Sequence, residues 1–191
     1  MNATQNNSQW QFLYTLKNAL LLNAELYDNA CNTPLNNQLA LTTVILAGVS
    51  HALGNIFILL INRAAIYLLL LALLIDVVSI IIGYYVWTLT IWKVGQWIKS
   101  KDPKFNNLLS PIGFAYAPQV LNFLTLIPLL GRPIELVLAL WSLLAVIVAV
   151  TQALDITTRK AGFICLIAWP LIQVAVGFIQ VLEQKVVQFT S

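Results

Sequence analysis

The sequence predicts an all-α, polytopic integral membrane protein, with five transmembrane helices preceded by an amphipathic interfacial helix. Three observations carry this expectation. Two long apolar runs, Leu39 to Ile61 and Ala64 to Trp92, are separated only by Asn62 and Arg63. Each exceeds the ~20 residues that cross a hydrocarbon core. Three more apolar stretches follow at 111–130, 134–153 and 161–182. The chain is 60% hydrophobic and only 9% charged, with a mean hydropathy of +0.84. A soluble domain carries roughly a quarter charged residues, so that class is excluded. Only helices and closed barrels satisfy their backbone inside a bilayer, and uninterrupted apolar runs select helices.

Residues 1–37 are expected to form a polar tail and the amphipathic helix. The first eight residues, Met1 to Ser8, are polar and lack a basic start. They are read as disordered, with no cleavable signal, so the first span would direct insertion. Trp10 to Ala30 reads as one helix, because Leu13, Leu16, Leu20, Ala24 and Tyr27 recur at spacings of three and four. Lys17, Glu25 and Asp28 make it too polar to span. It is placed in the interface plane, with Trp10 and Tyr14 at head-group level. The alternative is a soluble helix docked under the bundle. Asn32-Thr33-Pro34 ends it, since the residue before proline avoids the helical region.

A single membrane domain then covers 38–182, with spans at about 38–61, 64–92, 111–130, 134–153 and 161–182, and a short tail at 183–191. In the first span Gly48, His51 and Asn55 share a face, with Ser50 and Gly54 beside it. In the second, Asp76, Ser79 and Gly83 form a matching stripe. Small and polar residues mark packed faces in membrane helices, so both stripes are expected to face the bundle. Tyr84, Tyr85, Trp87 and Trp92 are read as an aromatic belt, followed by a loop from Lys93 to Ser110. Pro118 should kink or break the third span, with Gln119, Asn122 and Thr125 near the freed carbonyls. Trp169, Gln173, Gly177 and Gln180 mark one side of the fifth.

His51 and Asp76 are equally far from a turn centred between Arg63 and Ala64, so antiparallel helices put them at one depth. A charge inside the membrane costs at least ~2.5 kcal/mol, so each seeks a partner. Together with Gln119, Asn122 and Gln173 they are the candidate intramembrane polar site. Two uses are open: a proton or ligand site, or a structural pair locking the hairpin. Hydrogen bonds between membrane helices often serve packing alone.

Lys17, Lys93, Lys99, Lys101, Lys104, Arg159 and Lys160 fall on the side of the N-terminus, against Arg63, Arg132 and Lys185 on the other. The positive-inside rule then puts the N-terminus in the cytoplasm and the C-terminus outside. No basic cluster suits nucleic acid, so the bilayer is the expected partner, with a homo-oligomer or other membrane proteins as further candidates. The sole histidine, His51, excludes a multi-histidine metal site, and Cys31 and Cys165 have no ligand spacing. Gly-x-Ser-x-Gly and His-Glu-x-x-His are missing from the sequence. No catalytic residues, metal or cofactor are expected.

From the third span onward the chain resembles the Yip1 domain family. The residues are Gly113-Phe114-Ala115-Tyr116-Ala117-Pro118, Ile127-Pro128-Leu129-Leu130-Gly131, Leu140-Trp141 and Thr158-Arg159-Lys160-Ala161. Ala19 to Leu22 and Glu25-Leu26-Tyr27 fit as well, so the resemblance covers about residues 12–182. It implies a five-helix membrane protein with no known catalytic site. Eukaryotic relatives bind Rab-type GTPases and serve vesicle trafficking or membrane shaping. They usually carry a longer acidic region before the first span. Here that region has only Glu25 and Asp28 as acids, which argues against Rab-type binding. The compact form is similar to prokaryotic members, implying a prokaryotic inner or internal membrane.

Overall fold

The computed structural model describes residues 3–30, 34–61, 66–97, 104–127 and 129–168. No strand occurs among them. The elements are α1 (Ala3–Leu20), α2 (Ala24–Asn29), α3 (Pro34–Ile61), α4 (Ile66–Trp97), α5 (Phe105–Phe114), a 3-10 segment (Ala117–Leu126) and α6 (Gly131–Ala153). A further helical stretch covers 158–168.

α3 is the hub. It packs most extensively on the 3-10 segment and on α4, and also on α5. α6 covers the other side of the 3-10 segment and of α5, and α2 lies against α6. The core follows from this arrangement: Ala40, Val44, Tyr84, Ile91, Ile112, Phe114, Val146 and Val150 are all buried. Gly113 shows how close α5 comes to α3. A Cβ there would stand 2.7 Å from the Ala40 Cβ and 3.3 Å from the Ala40 backbone, so only glycine fits.

Among the described residues two helices are long and apolar enough to cross a membrane, Leu69–Trp97 within α4 and Gly131–Ala153. Only 22% of the most apolar stretch of the first and 33% of the second are buried inside the protein. A core helix of a soluble protein would be mostly buried. Here Leu70, Leu74, Val78, Ile82, Val86 and Leu89 of α4 stay exposed, as do Leu136, Val137, Leu140 and Leu144 of α6. Apolar faces this long are tolerated in lipid and not in water.

The expected single helix over 10–30 is two helices, and the expected disordered start is helical from Ala3. The division has a local cause. Leu22 takes a left-handed conformation, φ 55°, which costs a non-glycine residue roughly 1 kcal/mol. The turn in return satisfies every carbonyl that a helix end leaves open. Leu21 N donates to Lys17 O (3.0 Å), Asn23 N to Asn18 O (3.0 Å) and Leu22 N to Ala19 O (3.1 Å). Tyr27 Oη also donates to Ala19 O (3.1 Å), and Trp141 Nε1 of α6 donates to Leu20 O (3.1 Å). Burial pushes the Tyr27 phenol above its ordinary pKa, so it remains a donor throughout the physiological range. Asn23 then caps α2 by accepting from Glu25 N at 3.1 Å.

The third expected span is likewise not one helix. α5 starts at Phe105, inside the expected loop, while α4 runs on to Trp97. Pro118 has no N–H and its ring would meet the carbonyl of Phe114, so α5 ends at Phe114. The chain continues as a ten-residue 3-10 segment with proline in its first turn. The aromatic belt is also rearranged. Tyr84 is buried and donates to Leu109 O at 2.8 Å, holding α4 to α5. Trp92 instead meets Phe105 edge-on, with Lys93 Nζ over its ring at 4.7 Å.

Replacing Gly113 by Val should destabilise the bundle by about 1–3 kcal/mol, the range for overpacked cores. Thermal unfolding in detergent measures it. The double variant Gly113→Ala with Ala40→Gly should recover most of the loss seen for Gly113→Ala alone.

Candidate intramembrane polar site

The structure brings His51 of α3 to Asp76 of α4, with His51 Nδ1 3.7 Å from Asp76 Oδ1. The pair is ionic when His51 carries its proton. Asp76 is buried, and the His51 side chain is 40% exposed. Gly48, one turn away, is seated on Val77 of α4, where a Cβ would be 3.2 Å from the Val77 Cα. The stripe on α3 therefore faces α4 through Gly48 and His51. On α4 the matching stripe holds at Asp76 but not at Gly83, which has no described atom within 4 Å of its Cβ position. The buried side there passes through Tyr84, Thr88 and Ile91, because Tyr84 turns inward to reach α5.

Gln119 and Asn122 join a second group. Asn122 Nδ2 donates to Gln119 Oε1 at 2.6 Å, and Gln119 Nε2 donates to Ser142 Oγ of α6 at 3.0 Å. Thr125 Oγ1 donates to Asn122 O at 2.7 Å. From α3, Ser50 Oγ accepts from Phe123 N at 2.8 Å. These side chains were expected to serve the carbonyls freed by Pro118. Their bonds run instead along the 3-10 segment and across to α6.

The winding explains the column. A 3-10 helix has 3.0 residues per turn, so positions three apart eclipse one another. Gln119, Asn122 and Thr125 therefore stand in one line, whereas an α-helix would spread them over about 120°. Ser50 and Ser142 were missed in the sequence as members of this group. The polar period of three at 119, 122 and 125 is the signal that a 3-10 segment needs polar neighbours on the helices beside it.

The two groups attach to different faces of α3. Ser50 and Gly54 meet the 3-10 segment, while Gly48 and His51 meet α4. At 3.6 residues per turn the faces are roughly 110° apart. Gln173 lies outside the described residues. No group of three or more His, Cys, Asp or Glu that could hold a metal ion occurs among the described residues.

A family model described as the Yip1 domain matches residues 23–179, most of the chain. The chain belongs to the Yip1 domain family. No curated protein and no solved structure matches it. The Yip1 family is not known as an enzyme family, and with the lipid-facing helices the match makes this a Yip1-like membrane protein. The residues that carry the Yip1 resemblance sit at joints of the fold. Gly113 lets α5 touch α3, and Ala117-Pro118 opens the 3-10 segment. Gly131 lies against Thr125 O, where a Cβ would be 2.6 Å away. Trp141 holds the end of α1.

Replacing Asp76 by Ala should cost about 1–2 kcal/mol, the scale of interhelical membrane hydrogen bonds. A double-mutant cycle over His51→Ala and Asp76→Ala, read by unfolding in detergent, should give a positive coupling. The same cycle over His51→Ala and Gln119→Ala should be additive, because the two groups lie on different faces of α3.

Proposed function

We propose that this protein organises membrane or membrane-protein interactions without catalysing a reaction. Membership of the Yip1 family carries this reading. The sequence supports it, because its single histidine and its lack of a hydrolase or metalloprotease motif leave no catalytic set. The long apolar faces of α4 and α6 offer surfaces to lipid and to other membrane helices. Five crossings are read as α3, α4, the α5–3-10 unit, α6 and the segment at 161–182, with α1 and α2 on the cytoplasmic side. A cytoplasmic N-terminus follows from the lysines around the α4–α5 connection.

A second reading, a small transporter or lipid-translocating protein, is favoured by one observation. The third expected span is broken at Pro118 and carries the Gln119–Asn122–Thr125 column. Broken helices build substrate sites in many transporters.

Two measurements on the full chain separate the readings. Crosslinking in native membranes should recover defined protein partners or a homo-oligomer, and monomer alone would count against the organising role. Liposomes holding the protein should show no ion flux or lipid scrambling above empty liposomes. Activity that Asp76→Asn or Gln119→Ala abolishes would establish the second reading instead. For topology, a reporter fused after Ser191 should be non-cytoplasmic and one inserted at 98–104 cytoplasmic. A cytoplasmic C-terminal reporter would require an even number of crossings.

A further inference from the structure

The exposed face of α4 changes character at one point. Leu70, Leu74, Val78, Ile82, Val86 and Leu89 recur at spacings of three and four, and all are exposed. That spacing follows one side of a helix, so they form a single apolar stripe. The next two positions along it are Lys93 and Trp97, which are exposed as well. From Leu70 to Lys93 the helix rises about 34 Å at 1.5 Å per residue. A hydrocarbon core is ~30 Å thick. Lys93 therefore stands where the acyl chains beside α4 give way to head groups.

The side chains at this level are held together. Lys93 Nζ lies over the Trp92 ring, 4.7 Å from its centroid. Trp92 in turn meets Phe105 of α5 edge-on, with ring centroids 6.1 Å apart. Lys104 is exposed and precedes Phe105, so the ring pair puts both lysines at one level. An ammonium on a ring face is positioned without being neutralised, and it keeps N–H groups to donate to an outside acceptor. No carboxylate of a described residue pairs with either lysine, and the ion pairs His51–Asp76 and Arg132–Glu135 lie elsewhere. The sequence between the two lysines adds Lys99 and Lys101 against a single acid, Asp102, so the positive excess remains. Trp97 is 88% exposed, and tryptophan favours the head-group layer.

We propose that Lys93 and Lys104 bind the phosphate of an anionic phospholipid, with its acyl chains on Ile82, Val86 and Leu89 and its head group beside Trp97. The apolar stripe that leads to the two cations selects a lipid over a soluble anion, since one surface meets both the charge and the chain. Basic residues beside a transmembrane end favour anionic head groups, by roughly fivefold per charge. The site is independent of whether the protein organises or transports.

The test offers the full-length protein two lipids at once. In detergent it receives equimolar phosphatidylglycerol and phosphatidylcholine, and native mass spectrometry counts the lipids retained. The wild type should retain phosphatidylglycerol severalfold over phosphatidylcholine. Lys93→Gln with Lys104→Gln should remove most of that preference, and Lys93→Arg with Lys104→Arg should keep it. Either single Gln substitution serves if the double variant does not fold, with a smaller loss expected. Arg159→Gln with Lys160→Gln is the control at the same end of the bundle. These two follow Leu154, which meets Gly95, about 160° round α4 from Lys93. The control should leave the preference near that of the wild type. Equal retention of both lipids by the wild type would overturn the proposal, as would a preference unchanged by the Gln substitutions. An equal loss in the control would reveal a diffuse charge effect and overturn it too. Displacement of the lipid by excess glycerol phosphate would mean that phosphate alone is read, and the lipid assignment would fall.

Discussion

A buried backbone needs a partner for each of its polar groups, and the stretch from Ala115 to Leu126 is where this chain must meet that condition without an α-helix. Pro118 removes one donor and ends α5. The 3-10 winding that follows keeps the backbone paired at i to i+3, but with poorer geometry than an α-helix. Neighbours make up the difference. Ser50 accepts from Phe123 N on one side, and Ser142 accepts from Gln119 on the other. Ser50 and Ser142 are buried and Gln119 is half-buried, so their bonds also remove a desolvation cost. The packing of α3 and α6 around the segment is thus a requirement of its winding.

Close backbone approach makes that packing feasible. Apolar side chains gain nothing by leaving lipid for a protein interior, so helices in a membrane associate through close contact and polar bonds. α3 makes close contacts and polar bonds of this kind on three faces. It uses Gly48 against α4, Ala40 against Gly113 of α5, and Gly54 with Ser50 against the 3-10 segment. Bulky Ile45, Leu46 and Leu53 lie outside these lines and are exposed.

Much of this was legible in the sequence because apolar length and small-residue spacing are local signals. The hairpin register, read from the two residues between the apolar runs, placed His51 and Asp76 at one level, where the structure has them 3.7 Å apart. The break at Pro118 was legible for the same reason, since proline acts on its own backbone. What followed the break was not. Whether a chain continues as α or 3-10 depends on acceptors such as Ser50 and Ser142 on other helices, 73 and 23 residues away along the chain. The division of the N-terminal helix was hidden similarly. Leu22 is a poor left-handed residue, and its turn is stabilised by Tyr27 and by Trp141, which is 121 residues from its acceptor Leu20. Gly83 fitted a polar stripe by spacing, but Tyr84 took the inward position because Leu109 O offered its hydroxyl a partner.

The winding of the segment from Ala117 to Leu126 also steers the chain. Each residue of a 3-10 helix turns about 120° around the axis, against about 100° in an α-helix. Across the nine steps of this segment the difference accumulates to roughly half a revolution. The direction in which the chain leaves the segment at Leu126 is therefore opposite to the one an α-helix of equal residue count would give. Ser50 and the Gln119–Asn122 column thus act as a routing device: by holding the tighter winding, they set the heading of the chain as it leaves Leu126.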